Sequence, residues 1–448
     1  MARLFGTDGV RGLAGEDLTG DLAFRLGRAA VRVLRDGGHQ RPEVAVGRDT
    51  RWSGESLEAA LAAGVSSAGG DAVLLGVVPT PAVAFLAADL GVAAGAVISA
   101  SHNPAADNGI KFFGPNGFKF PDALEERIES ILDEASPNVS GRDIGRVRPL
   151  PDAGHRYVEH LLAVSAGPGS LEGMRVVVDG ANGAASSFAP ELLRRLGAQV
   201  TPIHDQPDGW NINDGCGATH PEVVAGVVRE VEADAGICHD GDADRALFAD
   251  HLGRVVDGDH VLAACALDLR AKGELAHGRV VTTVMANLGF KLAMKRAGIE
   301  VSETRVGDRY VLEEMERSGA ILGGEQSGHV IFRRFATTGD GLLTAAMFLA
   351  LARERSALVA DLAACMEAFP QVLVNVAVRD REALEGSEEV WGSVRDAEAS
   401  LGERGRVLVR ASGTEPVVRV MVEAATDEEA QRHARAVAEV VASALGPG

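Results

Sequence analysis

The feature of this chain that most constrains its fold is the alternation of short apolar runs with helix-length amphipathic segments. Strand-length runs recur through most of the chain, at 43–47, 72–76, 94–99, 174–179, 235–239, 278–283 and 320–324. Strands that alternate with helices in this way predict an α/β fold with mixed or parallel sheets. Several runs end directly at polar loops, which is where open α/β sheets bind their ligands.

Length and a change of pattern near the C-terminus predict the domain organisation. At 448 residues the chain is too long for one hydrophobic core. The last part differs, because 372–378 alternates like a half-buried strand and 427–445 is an alanine-rich helix. We therefore predict three similar α/β domains with mixed sheets and a smaller C-terminal α+β domain that together line a central cleft. The predicted bounds are 1–153, 154–253, 254–368 and 369–448.

Charge, hydropathy and cysteine usage exclude several classes of protein. The formal net charge of -20 argues against a nucleic-acid partner. The apolar run at 342–352 is shorter than the ~18 residues that a membrane span needs, so we interpret it as a core helix and expect no membrane contact. The four cysteines show no CxxC spacing, which indicates a reduced, cytoplasmic protein. Cys216 and His220 could offer metal ligands, but packing and loop roles are the favoured interpretation.

The first polar loop offers a hydroxyl beside an imidazole, Ser101 and His102. Because Pro104 biases Asn103 away from helix, we expect the serine on an extended, exposed loop. His102 could act as an acid or a base, since histidine can change charge near neutral pH. A plain turn is the alternative, because Ser, Asn and Pro are all turn formers. Lys111, a little further on, could offset the charge of a phosphate.

The second loop carries three carboxylates, Asp240, Asp242 and Asp244, separated by small residues. Such spacing lets the side chains converge on one cation, and hard oxygen ligands suit Mg²⁺. A phosphate on Ser101 could complete the metal's ligands, and Arg245 would lie close to it. The alternatives are an acidic surface turn and a calcium EF-hand loop. The EF-hand does not fit, because neither its sixth-place glycine nor its twelfth-place glutamate is present.

A third loop, in the C-terminal domain, has the composition of a phosphate cradle. Its candidate phosphate-binding residues are Arg410, Ser412, Gly413, Thr414 and Arg419. Hydroxyls and the amides around a glycine can form an anion nest, and the arginine fork suits phosphate. A glycine hairpin turn is the alternative. A nucleophile, a divalent metal and a phosphate cradle are together what phosphoryl transfer requires.

A fourth loop contains Glu325 and Ser327, an acceptor and a donor suited to sugar hydroxyls. The glutamate would also suit an ammonium group. Taken alone, the loop is no more specific than a polar turn.

The four loops, in this order, resemble the α-D-phosphohexomutase superfamily, and within it the bacterial phosphoglucosamine mutase family. The resemblance covers essentially the whole chain. It rests on Phe5-Gly-Thr-Asp-Gly-Val-Arg-Gly12, Ile98-Ser-Ala-Ser-His-Asn-Pro104, Asp107-Asn-Gly-Ile-Lys-Phe-Phe-Gly114, Val306-Gly-Asp-Arg-Tyr-Val311, Gly324-Glu-Gln-Ser-Gly-His329 and Thr337-Thr-Gly-Asp-Gly341.

The resemblance implies a mutase that converts glucosamine 6-phosphate to glucosamine 1-phosphate for UDP-N-acetylglucosamine and cell-wall synthesis. It implies four domains around the cleft, a phosphoserine at Ser101, one Mg²⁺ per chain and a bisphosphate intermediate. Glucosamine or glucose 1,6-bisphosphate would be the activator. The oligomeric state cannot be read from the residues, and a homodimer is one possible assembly. By motif position the metal ligands would be Ser101 with its phosphate, Asp240, Asp242 and Asp244. The other site residues implied are the catalytic Arg11, His102, Lys111 and Arg245, and the substrate-binding Glu325, Ser327 and His329 together with the C-terminal cradle.

Three other functions have to be weighed. Sister phosphoglucomutase/phosphomannomutase enzymes more often carry other residues where this chain has Ser99 and Gln326, so these two positions favour the amino sugar.

The acidic loop departs from the family pattern at one position. Ala243 stands where many relatives carry glycine, and its methyl group constrains the backbone without removing a ligand. The other two functions are a sensor and a phosphatase. A catalytically silent sugar-phosphate sensor would have lost the serine or a metal ligand. A sugar phosphatase would need no second phosphate cradle and no closed, water-excluding cleft.

Overall fold

The structure is a computed structural model that describes residues 4–6, 8–134, 139–412 and 416–446. Contacts between Cα atoms divide the chain into two compact units. The first comprises Met1–Met285 and Gly298–Cys365, and the second comprises Ala286–Ala297 and Met366–Gly448. The first unit carries three α/β sheets, and the second carries one antiparallel sheet.

The first sheet has the strand order β1-β5-β4-β2-β3-β6. Its strands are β1 (Val10–Leu13), β2 (Glu43–Arg48), β3 (Asp71–Val77), β4 (Ala94–Ile98), β5 (Asp107–Phe113) and β6 (Val147–Pro149). The helices in this part of the chain are α1 (Gly20–Asp36), α2 (Gly54–Ser67), α3 (Thr80–Asp89) and α4 (Asp122–Ser130). Strand β2 pairs in parallel with β3 and β4, whereas β5 is antiparallel to β1 and β4.

The second sheet has the order β11-β10-β9-β7-β8. Its elements in chain order are α5 (Ala153–Val164), β7 (Arg175–Asp179), α6 (Ala185–Arg195), β8 (Gln199–Ile203), α7 (Pro221–Glu230), β9 (Ala235–His239), β10 (Ala246–Asp250) and β11 (Val255–Val256). Strand β7 is parallel to β8 and β9, and β10 is antiparallel to β9. Every residue of β4 and β9 is buried, which explains why β4 is continuously apolar and β9 is apolar up to its last residue, His239, rather than alternating.

The third sheet has the order β13-β12-β14-β15. The elements of this part of the chain are α8 (Gly258–Ala271), β12 (Arg279–Thr283), α9 (Leu288–Arg296), β13 (Glu300–Thr304), α10 (Asp308–Ser318), β14 (Leu322–Gly324), β15 (Val330–Phe332), α11 (Gly341–Glu354) and α12 (Val359–Ala363). Asp340 caps α11 with its Oδ1, which accepts the Leu343 N–H and the buried Tyr157 hydroxyl.

The three sheets place their polar loops at the same topological point. In each sheet a central strand, β2, β7 or β12, pairs in parallel with the next two strands of the chain. The second of these, β4, β9 or β14, then pairs antiparallel with the strand that follows it. The serine loop follows β4, the acidic loop follows β9, and the Glu325 loop follows β14. Each loop therefore joins the last parallel strand to its antiparallel neighbour, at the carboxyl edge where the sheet leaves backbone and side chains available to a ligand.

The second unit is the smaller α+β part. Its elements are β16 (Gln371–Ala377), α13 (Glu388–Leu401), β17 (Arg406–Ala411), β18 (Val417–Glu423) and α14 (Asp427–Leu445), with the antiparallel order β16-β18-β17. Buried Glu423 pairs with Arg406 and accepts the Leu288 N–H at the start of α9. The Phe369 N–H donates to Asn287 Oδ1, and the Phe369 carbonyl accepts from Asn287 Nδ2. These contacts explain why α9 groups with this unit.

The predicted fold class is confirmed: three similar α/β domains with mixed sheets precede a smaller C-terminal α+β domain. The bounds 1–153, 154–253, 254–368 and 369–448 stay a prediction. The apolar run at 342–352 lies inside the core helix α11. Within the described part of the chain, no helix has the length and apolar character needed to cross a bilayer.

Candidate active site

Ser101 lies at the end of β4, but not on the extended, exposed loop that its neighbours predicted. Its φ is 51°, in the left-handed region, and its exposed fraction is 2%. The expectation was wrong because Pro104 constrains only the residue before it, whereas tertiary contacts hold the serine. The Ser101 N–H donates to Ser99 Oγ at 2.9 Å, and Ser101 Oγ donates to Asp240 Oδ2 at 2.6 Å. The hydroxyl is therefore fixed against the acidic loop.

The serine loop is fixed by a buried arginine, Arg51, that sequence reasoning missed. Arg51 is 1% exposed and pairs with buried Asp49, whose Oδ2 also accepts the Ser99 hydroxyl at 2.6 Å. Its remaining guanidinium N–H groups donate to backbone carbonyls of the serine loop, at Ser101, Asn103, Pro104 and Asp107. All five N–H donors of the guanidinium are thus engaged. One sequence signal could have indicated Arg51: it lies in a polar turn directly after strand β2, just as the serine and acidic loops directly follow β4 and β9.

The acidic loop is buried rather than a surface turn. Asp240 and Asp242 have no exposed surface, and Asp244 is 5% exposed. Asp242 Oδ2 accepts the Thr80 hydroxyl at 2.6 Å, and Asp244 Oδ2 lies 3.4 Å from His329 Nδ1. Three carboxylates buried together repel one another strongly, and this arrangement is expected only where a cation neutralises them.

The three carboxylates fit a divalent cation. One oxygen from each lies within 4.8 Å of the other two. Asp242 Oδ1 and Asp244 Oδ1 are buried and accept no hydrogen bond within the described ranges. A buried carboxylate oxygen without a donor is costly, and a metal ion satisfies it. The all-oxygen donor set favours a hard cation such as Mg²⁺.

The electrostatics of the loop agree with this fit. Burial, together with the charges of Asp244 and Asp242, raises the pKa of Asp240 well above its usual range. The expected change of charge of His102 near neutral pH was wrong, because burial and the cations Arg245 and Arg11 lower its pKa to about 4. His102 is therefore neutral at pH 7 and does not change charge near neutrality. Its Nδ1 lies 3.4 Å from Ser101 Oγ, where a neutral imidazole can accept a proton.

Basic residues surround the carboxylates. Lys111 is 4% exposed, with Nζ 4.0 Å from Asp242 Oδ2. Burial alone would lower the lysine pKa, but Asp242 raises it, so the ammonium form is retained. Arg245 Nε lies 3.7 Å from Asp244 Oδ1 and 4.0 Å from Asp240 Oδ2. Arg11, on β1 opposite Gly109 of β5, contributes a further positive charge near His102.

The alanine in the acidic loop adopts a strained backbone. Ala243 has φ of 59° and no exposed surface. In this left-handed region a Cβ clashes with its own backbone, at a cost of roughly 1–2 kcal/mol. The loop retains the conformation because Ala243 N–H donates to the Asp240 carbonyl and Ala243 O accepts from Gly341.

A cavity of about 260 Å³ opens beside the acidic loop. Its lining includes Asp244 and His329, together with Lys119, Asp308 and Arg309, which sequence reasoning did not single out as site residues. Lys119 is largely buried, and desolvation lowers its pKa. Arg309 also pairs with Asp122, so the first turn of α10 contacts the first turn of α4. Lys111 also lines the cavity, and two lysines and an arginine make it suitable for an anionic ligand.

The Glu325 loop is fixed mainly through its neighbours. Glu325 Oε1 accepts the Gly307 N–H at 3.2 Å, and burial raises the pKa of this carboxyl. Ser327 Oγ is buried and has no hydrogen-bond partner among the described residues, as expected of a hydroxyl that binds a ligand. Gln326 donates to Asp257 at 3.1 Å, so this residue braces the loop. His329 uses both ring nitrogens, one near Asp244 and one accepting from Gly339 N.

The candidate phosphate cradle lies in the second unit. Arg410 belongs to β17 itself, not to the loop, and stands opposite Arg419 of β18. Burial and the neighbouring Arg419 lower the pKa of Arg410. Ser412 is 3% exposed, and its carbonyl accepts from Arg381. Gly413 and Thr414 lie outside the described residues. Two arginines facing each other across a strand pair are suited to an anion, which would offset their repulsion.

A second segment reaches the serine loop from the second sheet. Asn213 Nδ2 donates to the carbonyls of Ser101 and Asn103, at 2.9 and 3.0 Å. Nearby, the largely exposed indoles of Trp52 and Trp210 stack with centroids 6.4 Å apart. The backbone N–H of Trp52 also donates to the Gly209 carbonyl at 3.0 Å. The serine loop is therefore held by residues from both of the first two sheets.

Comparison with known proteins places this arrangement in a family. Four models match in chain order: Phosphoglucomutase/phosphomannomutase, alpha/beta/alpha domain I at 2–138, domain II at 155–253, domain III at 257–369 and the C-terminal domain at 373–440. The structure is similar to a phosphoglucomutase/phosphomannomutase family protein of Burkholderia thailandensis, with a TM-score of 0.81 and 25% identity over 98% of this chain and 97% of the other.

The fold is also similar to that of Aspergillus fumigatus N-acetylphosphoglucosamine mutase, solved with GlcNAc-6P and magnesium. The TM-score is 0.69, at 19% identity over 98% of this chain and 95% of that chain. The phosphoglucosamine mutase of Desulforudis audaxviator is 55% identical over 95% of this chain and 94% of its own length. The resemblance carried by the motifs is thereby confirmed, and the chain belongs to the phosphoglucosamine mutase family, isomerases built from the four phosphoglucomutase/phosphomannomutase domains.

Proposed function

We propose that the protein interconverts glucosamine 6-phosphate and glucosamine 1-phosphate by way of a phosphoserine at Ser101 and a sugar bisphosphate. The observation that carries the proposal is the 2.6 Å contact between Ser101 Oγ and Asp240, within a buried cluster of three carboxylates. A nucleophile in contact with a cation site is the arrangement that phosphoryl transfer needs.

Each residue has a task that its position supports. Asp240, Asp242 and Asp244 would hold one Mg²⁺ together with an oxygen of the Ser101 phosphate. Bound there, the cation supplies neutralisation of charge on the transferring group. Lys111 and Arg245 add positive charge, and Arg11 extends it. His102 and Asp240 lie within reach of Ser101 Oγ, where either can accept its proton.

The reaction conserves phosphate. The phosphoryl group leaves Ser101 Oγ for the free sugar hydroxyl, whose proton passes to Ser101 Oγ, and the bisphosphate forms. The other phosphoryl group then moves to Ser101 Oγ, whose proton passes to the released sugar oxygen. The net change is the position of one phosphate. A bisphosphate such as glucosamine or glucose 1,6-bisphosphate would then restore phosphoserine to an enzyme that had lost it.

Substrate recognition is assigned to two groups of residues. Glu325 and Ser327 would bind sugar substituents, with His329 positioning Asp244 beside them. Arg410, Ser412 and Arg419, with Gly413 and Thr414, would bind the phosphate that is not reacting. The carboxylate of Glu325 would favour an ammonium over a hydroxyl at the sugar's second carbon. We infer a cytoplasmic location from this substrate, and the homodimer stays a prediction that sedimentation can measure.

The decisive experiment compares kcat/KM for glucosamine, glucose and mannose 6-phosphates. We expect the amino sugar to be preferred, and we expect Glu325→Gln to lower its kcat/KM more than that of glucose 6-phosphate. Ser327→Ala is the matched control, because it removes a hydrogen bond without changing charge and should affect both sugars alike. Better turnover of glucose or mannose phosphate would favour the sister activity, and release of inorganic phosphate would favour a phosphatase.

Phosphorylation is tested separately. Mass spectrometry of the purified protein should locate a phosphate on Ser101, and Ser101→Ala should lose both the modification and the isomerase activity. Full activity in the alanine variant would exclude the mechanism.

A further inference from the structure

A second cluster of potential metal ligands lies in the second sheet, apart from the acidic loop. Asp179 is the last residue of β7, and His204 follows directly after β8, its parallel neighbour. Cys216 lies on the connection that leads to α7. One ligand atom from each lies within 4.8 Å of the other two. We propose that Asp179, His204 and Cys216 bind a soft divalent cation, with Zn²⁺ as the reference ion.

The geometry favours a shared ligand over a simple ion pair. His204 Nδ1 is 3.0 Å from Asp179 Oδ2. Yet this nitrogen is buried and makes no hydrogen bond with any described residue. The two atoms are close, but the ring N–H does not point at the oxygen. Tetrahedral zinc places its ligand atoms roughly 3.5 Å apart, so the histidine and aspartate atoms would separate slightly and only small shifts would be needed.

The surroundings orient the ligands. Asp179 Oδ1 accepts the Ala181 N–H at 2.9 Å, and Oδ2 accepts the Gly217 N–H at 3.0 Å. Such bonds fix a carboxylate without using all its lone pairs. His204 has φ of 46°, a left-handed conformation that is costly for a non-glycine residue. Its side chain is 33% exposed, whereas Asp179 is buried, so a cation can enter from the histidine side.

The donor set separates this cluster from the acidic loop. Sulfur, nitrogen and oxygen together suit zinc or cobalt, whereas three carboxylates suit Mg²⁺. His220, the other histidine near Cys216 in sequence, pairs with Glu222 at 3.1 Å and is not part of the cluster. Binding would break the Cys216 S–H bond and form a metal–sulfur bond, and the proton would pass to solvent.

A reactive thiol is the competing explanation for Cys216. It does not fit, because burial and the neighbouring Asp179 raise the pKa of the thiol to about 12. A thiol that stays protonated at neutral pH is a poor nucleophile.

The proposed cation site would be linked to the serine loop by the segment between His204 and Cys216. His204 and Cys216 stand at the two ends of one loop, and Asn213 within that loop donates to the Ser101 and Asn103 carbonyls. A cation that clips the loop at its ends lowers its conformational freedom. Cation binding should therefore slow hydrogen exchange of the loop amides.

The test is a cobalt titration of chelator-treated, full-length protein in a large excess of Mg²⁺, which saturates the all-oxygen site. We expect one equivalent of Co²⁺ to bind and to give a near-ultraviolet thiolate-to-cobalt charge-transfer band. Zn²⁺ should displace the cobalt and remove the band. Absence of the band from the wild-type protein would overturn the proposal.

Three variants locate the site. Cys216→Ser should abolish the band, and Cys365→Ser, which removes a partly exposed thiol elsewhere, should leave it unchanged. His204→Gln should weaken cobalt binding by at least about tenfold, and this partly exposed position tolerates change if the serine variant fails to fold. A band that survives in Cys216→Ser, or unchanged affinity in His204→Gln, would contradict the assignment.

Discussion

Two charged clusters flank Ser101, and they satisfy their buried groups in opposite ways. In the Asp49–Arg51 cluster, every N–H of the guanidinium has an acceptor, and the Asp49 carboxylate accepts from Arg51 and Ser99. In the acidic loop, by contrast, three carboxylates lie together, and two of their oxygens accept no hydrogen bond within the described residues. Both clusters are equally buried, so burial does not distinguish them.

The difference separates scaffold from binding site. A buried polar group that is fully bonded stabilises one conformation, and little is gained by adding a ligand. A buried group with unused oxygens costs free energy until a ligand arrives. We therefore expect substitutions in the first cluster to lower stability and substitutions in the acidic loop to lower activity.

The largest effect is expected for Arg51→Met. The substitution leaves buried Asp49 without its ion-pair partner and removes a donor from four loop carbonyls, two of which keep Asn213, so the free energy of unfolding should fall by about 3–5 kcal/mol. Urea unfolding measures it. Arg127→Met is the control, because Arg127 pairs with Asp36, both side chains are more than half exposed, and the loss should cost no more than about 1 kcal/mol. Equal losses in the two variants would erase the distinction between the clusters.

Asp242→Asn should show the opposite pattern. The amide retains an acceptor for the Thr80 hydroxyl but removes a negative charge, so turnover should fall by about two to three orders of magnitude. Stability of the Mg²⁺-free protein should change little, because the loss of one of three mutually repelling charges offsets the loss of the ion pair with Lys111. Steady-state kinetics measure the turnover, and thermal unfolding with and without chelator measures the stability. A clear loss of melting temperature would assign Asp242 to the scaffold.

Asp340 is an intermediate case, bonded but still charged. Burial raises its pKa to about 6 from an ordinary 3.8. The folded state therefore holds an extra proton between these values, and the resulting stability is full below about pH 4 and lost as pH rises through 6. Asp340→Asn keeps both Oδ1 contacts without a charge. Relative to the wild type, the variant should gain about 3 kcal/mol between pH 4 and 7.

The measurement is paired urea unfolding of the wild type and Asp340→Asn across that pH range, since the difference cancels the other carboxylates. A difference that is flat with pH would mean that hydrogen bonds alone decide the stability of this carboxylate.

The smallest effect is expected for Ala243→Gly. Relief of the left-handed strain is worth roughly 1–2 kcal/mol, and loss of a buried methyl group costs about 0.8 kcal/mol. The net gain in stability should be about 0.5 kcal/mol. Ala249→Gly, in strand β10, is the control that loses a buried methyl without strain to relieve and should be destabilised. Destabilisation of both would show that packing outweighs backbone strain in the acidic loop.

Much of the fold was predictable because it depends on local periodicity. Strand β9 and helix α14 begin and end where the pattern predicted. The loops that carry Ser101, Asp240 and Glu325 were found because polar residues directly follow apolar strands. Their shared topological position could not be read from the sequence, since it depends on which strands pair antiparallel.

What the sequence could not supply were contacts between distant segments. The burial of Ser101 depends on Arg51 and Asp240, which are remote from it in the chain. The low pKa of His102 depends on desolvation and on Arg245 and Arg11. The grouping of α9 with the second unit likewise rests on Glu423, far along the chain. Each is a tertiary effect without a local signature.

The stacked indoles give the molecule an intrinsic optical probe. The chain has three tryptophans, and two of them form the Trp52–Trp210 pair, while Trp391 lies in α13 of the second unit. Trp52 follows Arg51 directly, and Trp210 belongs to the same loop as Asn213, so the pair joins the two segments that hold the serine loop. In a Trp391→Phe background, fluorescence would follow only those segments, without an attached dye. Small separations of the two rings would then be visible in real time during turnover.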